Sequence, residues 1–310
     1  MTGFADKTVQ AALSEAIGCL QAAGVDDARW DAEELLSWAG GPDRTHLPLL
    51  REAALSEKAA ARFEAAVARR AQRIPLQQII GTAWFMGLPF SVNEAVLCPR
   101  QDTELLAERA MEILREGRKP APRVLDLCCG SGCIGISLAR LHPRTQVVLS
   151  DLSEEALAVA KKNAERNNVS EQLRFAQGDL FNARLEDGSP LSGPFDLICC
   201  NPPYVPSGEI GRLMPEVKDH EPAMALDGGA DGLDFYRRLA RELTPLASPR
   251  TRGEAARSAG RGRPATILLE IGCEQGEAVR NIFETALPCT VTILKDLAGL
   301  DRVAEARMRN

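Results

Sequence analysis

Histidine is scarce: His46, His142 and His220 are the only three in 310 residues, and they lie far apart. No spacing among them suits a shared metal ion or a nucleophile–base pair, which excludes the commonest histidine-based sites. The paired C-x-x-C spacing of a zinc site is missing too. Of nine cysteines, the candidates Cys128, Cys129, Cys133, Cys199 and Cys200 sit in apolar or glycine-rich segments. They read as small buried hydrophobes, and no metal is expected. No apolar run approaches the roughly 20 residues of a membrane span, so no membrane contact is expected. The opening residues MTGFADKTVQ hold neither a basic leader nor an apolar segment with a cleavage site, and a cytoplasmic protein is expected. A basic excess is also absent: 37 Lys and Arg stand against 43 Asp and Glu, a net charge of -6. A duplex-wide grip on phosphates would then need a local patch, and direct nucleic-acid binding is not expected.

What is present is an ordinary globular balance, 45% hydrophobic and 26% charged, in a chain longer than one typical domain. From Ala5 to about Arg73, apolar residues recur at helical spacing (Val9, Leu13, Ala16, Ile17, Leu20), with loop signals at Gly24 and Gly40-Gly41-Pro42. This predicts a small helical bundle over residues 1–80. The stretch Trp84 to Leu97, around Gly87-Leu88-Pro89, predicts a β-hairpin linker within 81–100. Pro99 then opens a helix near Asp102, whose side chain is expected to cap the first turn.

Over 101–310 short apolar strands alternate with helices. Strands are predicted at Val124 to Leu127, Gln146 to Ser150, Leu173 to Ala176, Phe195 to Cys200 and Thr266 to Ile271, with a terminal antiparallel pair at Thr290 to Leu294 and Val303 to Met308. Helices are predicted at Ile134 to Leu141 and, capped, at Ser153 to Asn168. The class is α/β: a largely parallel sheet with helices on both faces and ligands at the carboxyl ends of its strands. Residues 245–264, PLASPRTRGEAARSAGRGRP, carry five arginines and few large apolar groups, and are expected to be a disordered surface loop.

Asp126-Leu127-Cys128-Cys129-Gly130-Ser131-Gly132 follows the first strand and enters a helix, so its backbone can approach a ligand closely. Gly130, Gly132 and Gly135 spell G-x-G-x-x-G, and Asp151 ends the second strand where a carboxylate can accept ribose hydroxyls. Loop and acid specify an adenosine-like ligand without separating NAD from S-adenosylmethionine. Asp126 favours the second, since an anion suits an ammonium and a sulfonium and repels a pyrophosphate. Gly178-Asp179-Leu180 offers an acceptor to the adenine amino group and an apolar surface to its ring.

Asn201-Pro202-Pro203-Tyr204 comes directly after the apolar strand Phe195 to Cys200, beside the expected cleft. Two prolines hold the backbone carbonyls out of a ladder. An amide or aromatic amine nitrogen is a poor nucleophile because its lone pair is delocalised. Acceptance of its two N–H groups by the Asn201 side-chain oxygen and the Pro202 carbonyl favours the charge that develops as nitrogen attacks a methyl group. Tyr204 can stack on the planar group and align its lone pair. These residues leave open an adenine N6-methyltransferase of DNA or RNA acting on a flipped base. They also leave an NAD-dependent oxidoreductase built on the glycine fingerprint, and a non-catalytic nucleotide-binding protein.

With these motifs and their flanks, the chain closely resembles the HemK/PrmC family of peptide chain release factor N(5)-glutamine methyltransferases. The resemblance is carried by PLQQIIGTAWFMGLPFSVNEAVLCPRQDTELL (75–106), LDLCCGSGC (125–133), Asn201 to Tyr204, HEPAMALDGGADGLDFY (220–236), LLEIGCEQG (268–276) and DLAGLDR (296–302). It implies a seven-stranded Rossmann-like S-adenosylmethionine-dependent methyltransferase domain over 101–310, behind the hairpin and an N-terminal helical domain that helps hold the substrate. It also implies cofactor contacts at Cys128 to Gly132, Asp151, Leu180 and Asn201, and a glutamine acceptor held by Asn201 to Tyr204. By the same resemblance the substrate is the Gly-Gly-Gln glutamine of class 1 release factors, with S-adenosyl-L-homocysteine as product and translation termination as the process served. Three departures stand out: Gln101 where the family usually has a second proline, Cys129 for a usual threonine, and the arginine-rich loop for a short turn.

Overall fold

A computed structural model of the chain describes residues 4–117, 119–247, 261–262 and 266–309. Its contacts divide it into two compact units, Met1–Thr82 with Leu213–His220, and Ala83–Arg212 with Glu221–Asn310.

The first unit holds α1 (Val9–Ala22), α2 (Ala28–Ala39), α3 (Glu57–Ala71) and the short α4 (Leu76–Ile80). Thr8 caps α1 by accepting the Ala11 amide, Ser56 caps α3 in the same way, and α2 stops at Gly40, whose φ of 101° suits only glycine well. Leu20, Leu35, Leu36, Phe63 and Val67 fill the space between the helices.

The second unit opens with a hairpin, β1 (Thr82–Phe85) and β2 (Leu88–Ser91). Its turn is Met86-Gly87, both with positive φ, one residue earlier than the glycine-proline signal suggests, and no strand continues beyond Ser91. Then follow α5 (Gln101–Glu116), β3 (Arg123–Leu127), α6 (Cys133–Leu141), β4 (Gln146–Asp151), α7 (Glu154–Arg166), β5 (Leu173–Gln177) and β6 (Arg184–Leu185). They are followed by β7 (Gly193–Pro194), β8 (Leu197–Cys200), the short α8 (Pro215–Lys218) of the first unit, α9 (Asp234–Ala247), β9 (Arg261–Gly262), β10 (Thr266–Glu270), α10 (Gly276–Ala286), β11 (Cys289–Lys295) and β12 (Asp301–Met308).

The sheet order is β11-β12-β10-β8-β3-β4-β5-β6. The expected seven strands are joined by an eighth, the two-residue β6 at one edge, while β7 and β9 pair separately. The strands β10, β8, β3, β4 and β5 run parallel, and β12 is antiparallel to both neighbours. Being covered on both faces, the central strands β8 and β10 are buried at every position rather than alternating. Phe85, Leu106 and Ile136 belong to the core on one face, and Tyr236, Leu239 and Phe283 to that on the other.

Two expectations need correction. Asp102 does not cap α5: the helix begins at Gln101, so Asp102 lies inside its first turn, and its carboxylate pairs with Arg302 at 3.3 Å. The arginine-rich segment 245–264 begins in helix, since α9 continues to Ala247, and Arg261–Gly262 pair with β7. Its residues 248–260, 263 and 264 lie outside the described residues.

In the first unit the Leu213–His220 segment is fastened by a buried ion cluster. Arg70 donates to Asp31 at 2.6 Å and lies 2.8 Å from Glu216, which Arg73 also holds at 2.6 Å. Burial pushes Glu216 up, yet the hydrogen bonds from Arg73 and Arg70 prevail and its pKa falls to about 2. Asp31 has Arg70 alone, and burial leaves its pKa raised.

Candidate functional site

The strand order reverses at β3: β4 and β5 lie to one side, β8 and β10 to the other. Such a switch point opens a crevice at the carboxyl ends of the strands. The register sets Leu127 beside both Ser150 and Cys200, so the β3 loop emerges between Asp151 and Asn201. A cavity of about 370 Å³ lies there, within the second unit. Its walls include Cys128 to Ser131, Asp151, Asp179, Leu180, Asn201 and Pro203. The motifs singled out in sequence therefore converge on one place.

The loop is held from beneath. Cys128 has φ of 55° and Gly130 of 52°, left-handed values that a non-glycine residue adopts only where its surroundings enforce them. Four amides are spent inside the protein: Cys129 donates to the Ser150 carbonyl at 3.1 Å, Gly130 to Asp151 Oδ2 at 2.8 Å, Gly132 to the Cys129 carbonyl at 2.7 Å, and Gly135 to Asp126 Oδ2 at 2.8 Å. Asp151 also accepts the Ser153 amide at 2.9 Å through its other oxygen, and each oxygen keeps a further lone-pair direction for a ligand hydroxyl. Burial raises the Asp151 pKa, against the pull of these amides.

Asp126 is placed under the loop rather than on the cavity wall. It is fully buried, its Oδ1 has no partner among the described residues, and burial pushes its pKa up to about 7, opposed by the Gly135 amide and reinforced by the Asp151 charge. Asp179 lies at the mouth, exposed and ion-paired with Arg238 of α9. Leu180, with φ of 49°, turns its buried side chain to the wall. Cys129, Cys133, Cys199 and Cys200 are buried thiols with raised pKa values, Cys133 at about 12, which suits the reading as small hydrophobes; Cys128 is half-buried. Among the described residues no group of His, Cys, Asp and Glu could hold a metal ion.

Asn201 and Pro203 line the cavity, whereas Pro202 and Tyr204 do not. Asn201 Nδ2 donates to Thr103 Oγ1 of α5 at 3.3 Å, which leaves Oδ1 as the acceptor end of the amide. Tyr204 packs against the core, and its hydroxyl donates to Glu270 Oε1 at 3.3 Å. Burial, with the Glu270 charge, raises the Tyr204 pKa and keeps the hydroxyl a donor. Glu270 ends β10 and is itself buried, and its Oε2 has no partner among the described residues; burial lifts its pKa to about 7, against the pull of the hydroxyls near it, Tyr204 among them.

Arg100, Thr103, Glu221 and Glu270 lie within the segments that carry the family resemblance, yet neither they nor Arg238 were assigned a role from the sequence. Glu221 is buried and accepts the Cys98 amide at 3.1 Å and Arg100 Nη2 at 2.7 Å, fixing the Cys98–Arg100 wall of the cavity. The signal for Glu270 was a lone carboxylate in the apolar run TILLEI, since a buried charge needs a partner.

Comparison with known proteins agrees with this geometry. Residues 11–81 match the family model for the PrmC N-terminal domain, and residues 102–215 that for the methyltransferase small domain. The release factor glutamine methyltransferase of Geobacter sulfurreducens is 38% identical over 97% of this chain and 97% of its own. That of Cereibacter sphaeroides is 41% identical over 96% and 97%. Among solved structures, the hMettl16 catalytic domain in complex with the MAT2A 3'UTR hairpin 6 superposes with a TM-score of 0.54 at 15% identity, covering 79% of this chain and 82% of that one, a likeness of fold. No described helix is long and apolar enough to cross a membrane. By the extent and identity of these matches, the chain belongs to the release factor glutamine methyltransferase family.

Proposed function

We propose that the protein transfers a methyl group from S-adenosylmethionine to the side-chain amide nitrogen of the Gly-Gly-Gln glutamine of class 1 release factors, in the cytoplasm. The observation that carries this reading is the Asn201 amide, bonded through Nδ2 to Thr103 so that Oδ1 is the end able to accept an N–H group at the cavity.

The loop supports a sulfonium cofactor over a dinucleotide. Loops that bind pyrophosphate aim backbone amides at it, whereas here the Gly130 and Gly135 amides are turned onto Asp151 and Asp126. A cavity of about 370 Å³ suits a nucleoside-sized ligand. Asp151 would accept the ribose hydroxyls, Leu180 and Phe235 would bound the adenine, and the Cys128 to Gly132 backbone would bound the methionine portion. Asp179 would meet the adenine amino group after exchanging Arg238 for it. When bound, the cofactor supplies an electrophilic methyl group.

Asn201 Oδ1 and the Pro202 carbonyl accept the two N–H groups of the substrate amide, which favours the positive charge forming on nitrogen. Tyr204 lies off the cavity wall, and by its bond to Glu270 it would hold the turn that presents Asn201. After transfer one N–H proton is acidic and leaves to water, so no strong base is required. The N-terminal helical unit is assigned a share in holding the release factor.

The test is mass spectrometry of a release factor incubated with the protein and S-adenosylmethionine. One added methyl on the Gly-Gly-Gln glutamine is expected, and its loss in Asn201→Ala with cofactor binding retained. Methyl incorporation into DNA alone, in a parallel reaction, would overturn the assignment.

A further inference from the structure

We infer that Gln275, which stands off the cavity wall, is a positioning residue for methyl transfer: it pins the carboxyl end of the Asn-Pro-Pro-Tyr turn and so sets the direction of the Pro202 carbonyl. This rests on the amide-methylation reading, in which that carbonyl accepts one N–H group of the substrate, and adds to it what holds the carbonyl in place.

Gln275 stands at the N-cap position of α10, yet its side chain does not cap the helix. It turns back instead. Oε1 accepts the Gly272 amide at 2.9 Å, and Nε2 donates to the Tyr204 carbonyl at 2.9 Å and to the Gly232 carbonyl at 3.3 Å. A side-chain amide offers two hydrogens at one end and an acceptor oxygen at the other, so only this orientation satisfies all three partners. Among the described residues no other donor reaches either carbonyl. Glycines make the close approach possible: a Cβ on Gly232 would stand 2.3 Å from the Tyr204 oxygen and 2.6 Å from Gln275 Nε2, and one on Gly228 would stand 2.8 Å from Tyr204 Cα.

The Tyr204 carbonyl and the Val205 amide belong to one planar peptide unit. Gln275 binds the first, and the second donates to the Leu226 carbonyl at 2.9 Å, so the plane is held at both of its polar ends. At the start of the turn Cys200 lies in β8, in register with Leu127 on one side and Leu269 on the other. Between these anchors the ring of each proline fixes its φ. The angles left are φ and ψ of Asn201 and Tyr204 and ψ of each proline, no more than are consumed in joining two fixed ends. The Pro202 carbonyl therefore has a set direction, and releasing Tyr204 frees it. An acceptor that must be aimed anew during the reaction stabilises the developing charge less than one already in place.

Steady-state kinetics with release factor and S-adenosylmethionine test this in the full-length protein, with kcat counted per cofactor-binding site from calorimetry. At about pH 8, Gln275→Glu keeps the size of the side chain but turns a carboxylate, which only accepts, toward two carbonyls. Its kcat should fall by roughly 10- to 100-fold, while the Kd of S-adenosylmethionine and the KM of the release factor change by less than about twofold. Gln275→Met, of similar length and without polar hydrogens, releases the Tyr204 carbonyl without repelling it and should lose roughly 3- to 10-fold in kcat. A residue that only stabilised the fold would lower Tm and leave kcat per binding site as in the wild type, and that result would overturn the inference. Cofactor affinity that falls in step with kcat, or a Met variant slower than the Glu variant, would overturn it as well. Should Gln275→Glu not fold, Gln275→Met decides alone by the same split between kcat and binding. If the wild type transfers no methyl to the glutamine, the functional reading fails instead; a wild type that methylates beside variants equally fast sinks only the role of Gln275.

Discussion

Substituting Gly135 by Ala tests how tightly the loop between β3 and α6 is built. Gly135 lies in the first turn of α6, where an added Cβ would stand 2.4 Å from Leu149 Cδ2, 3.0 Å from Val147 Cγ1 and 3.0 Å from Asp126 Oδ2. Carbon atoms pack at about 3.5–4.0 Å, so the helix or strand β4 must retreat by roughly 1 Å. Leu149 and Val147 are fully buried, so a turn of either side chain must displace its core neighbours. Overpacking of this kind costs about 1–3 kcal/mol. Retreat of α6 also stretches the 2.8 Å bond from the Gly135 amide to Asp126, whose other oxygen already lacks a partner, and adds about 1–3 kcal/mol. The total of about 2–6 kcal/mol should lower Tm by roughly 5–20 °C in a unit of this size, read by calorimetry. Binding of S-adenosylmethionine should weaken about tenfold or more, because Gly132 and Cys133 begin the same helix. Trimming the obstacle in Gly135→Ala/Leu149→Ala should cost less than the two single losses together, by about 1 kcal/mol or more. A single variant that melts with the wild type, or a double variant that is strictly additive, would refute this account of the contact.

Two further outcomes concern buried charge. Arg70→Ala leaves Asp31 buried without its cation, while Arg73 still holds Glu216, and urea unfolding at neutral pH should show a loss of about 3–5 kcal/mol; the Asp31 pKa is raised by burial, so the loss should shrink as pH falls and Asp31 takes up a proton, and an equal loss at neutral and acid pH would count against an orphaned carboxylate. Asp126, raised from 3.8 to about 7, binds its proton more tightly in the folded state, so its contribution to stability is complete below about pH 4 and is lost as pH rises through 7. At about 1.4 kcal/mol per pH unit this amounts to roughly 4 kcal/mol in the ligand-free protein. Asp126→Asn should flatten the fall in unfolding free energy from about pH 5 to 8, and parallel profiles for variant and wild type would show that Asp126 does not titrate there.

The parallel sheet was legible because buried strands are apolar on both faces and appear as short runs, such as Leu197–Cys200 between polar loops. The two-residue strands β6, β7 and β9 were not, since periodicity cannot be defined over two positions. At the site, spacing alone located the glycine loop, Asp151 and Asn201, because each follows directly on the end of a strand. What spacing cannot convey is which way a polar group turns. Asp126 carries the charge expected at that position, yet the Gly135 amide and the packing of α6 on β4 draw it beneath the loop. Asp102 stands two residues past the N-cap, Arg100, and finds Arg302 instead. The orientation of Asn201 depends on partners remote in sequence: Thr103 lies 98 residues before it, and the carboxylate that holds Tyr204 lies 66 residues after that tyrosine. In the chain these are a threonine in a helix and an acid in an apolar strand, and neither is a catalytic motif. They come together because α5, β8 and β10 converge at the end of the sheet where the order of strands reverses. A tetrapeptide can thus be placed by its position after a strand, while the direction of its hydrogen bonds is set by the fold that closes around it.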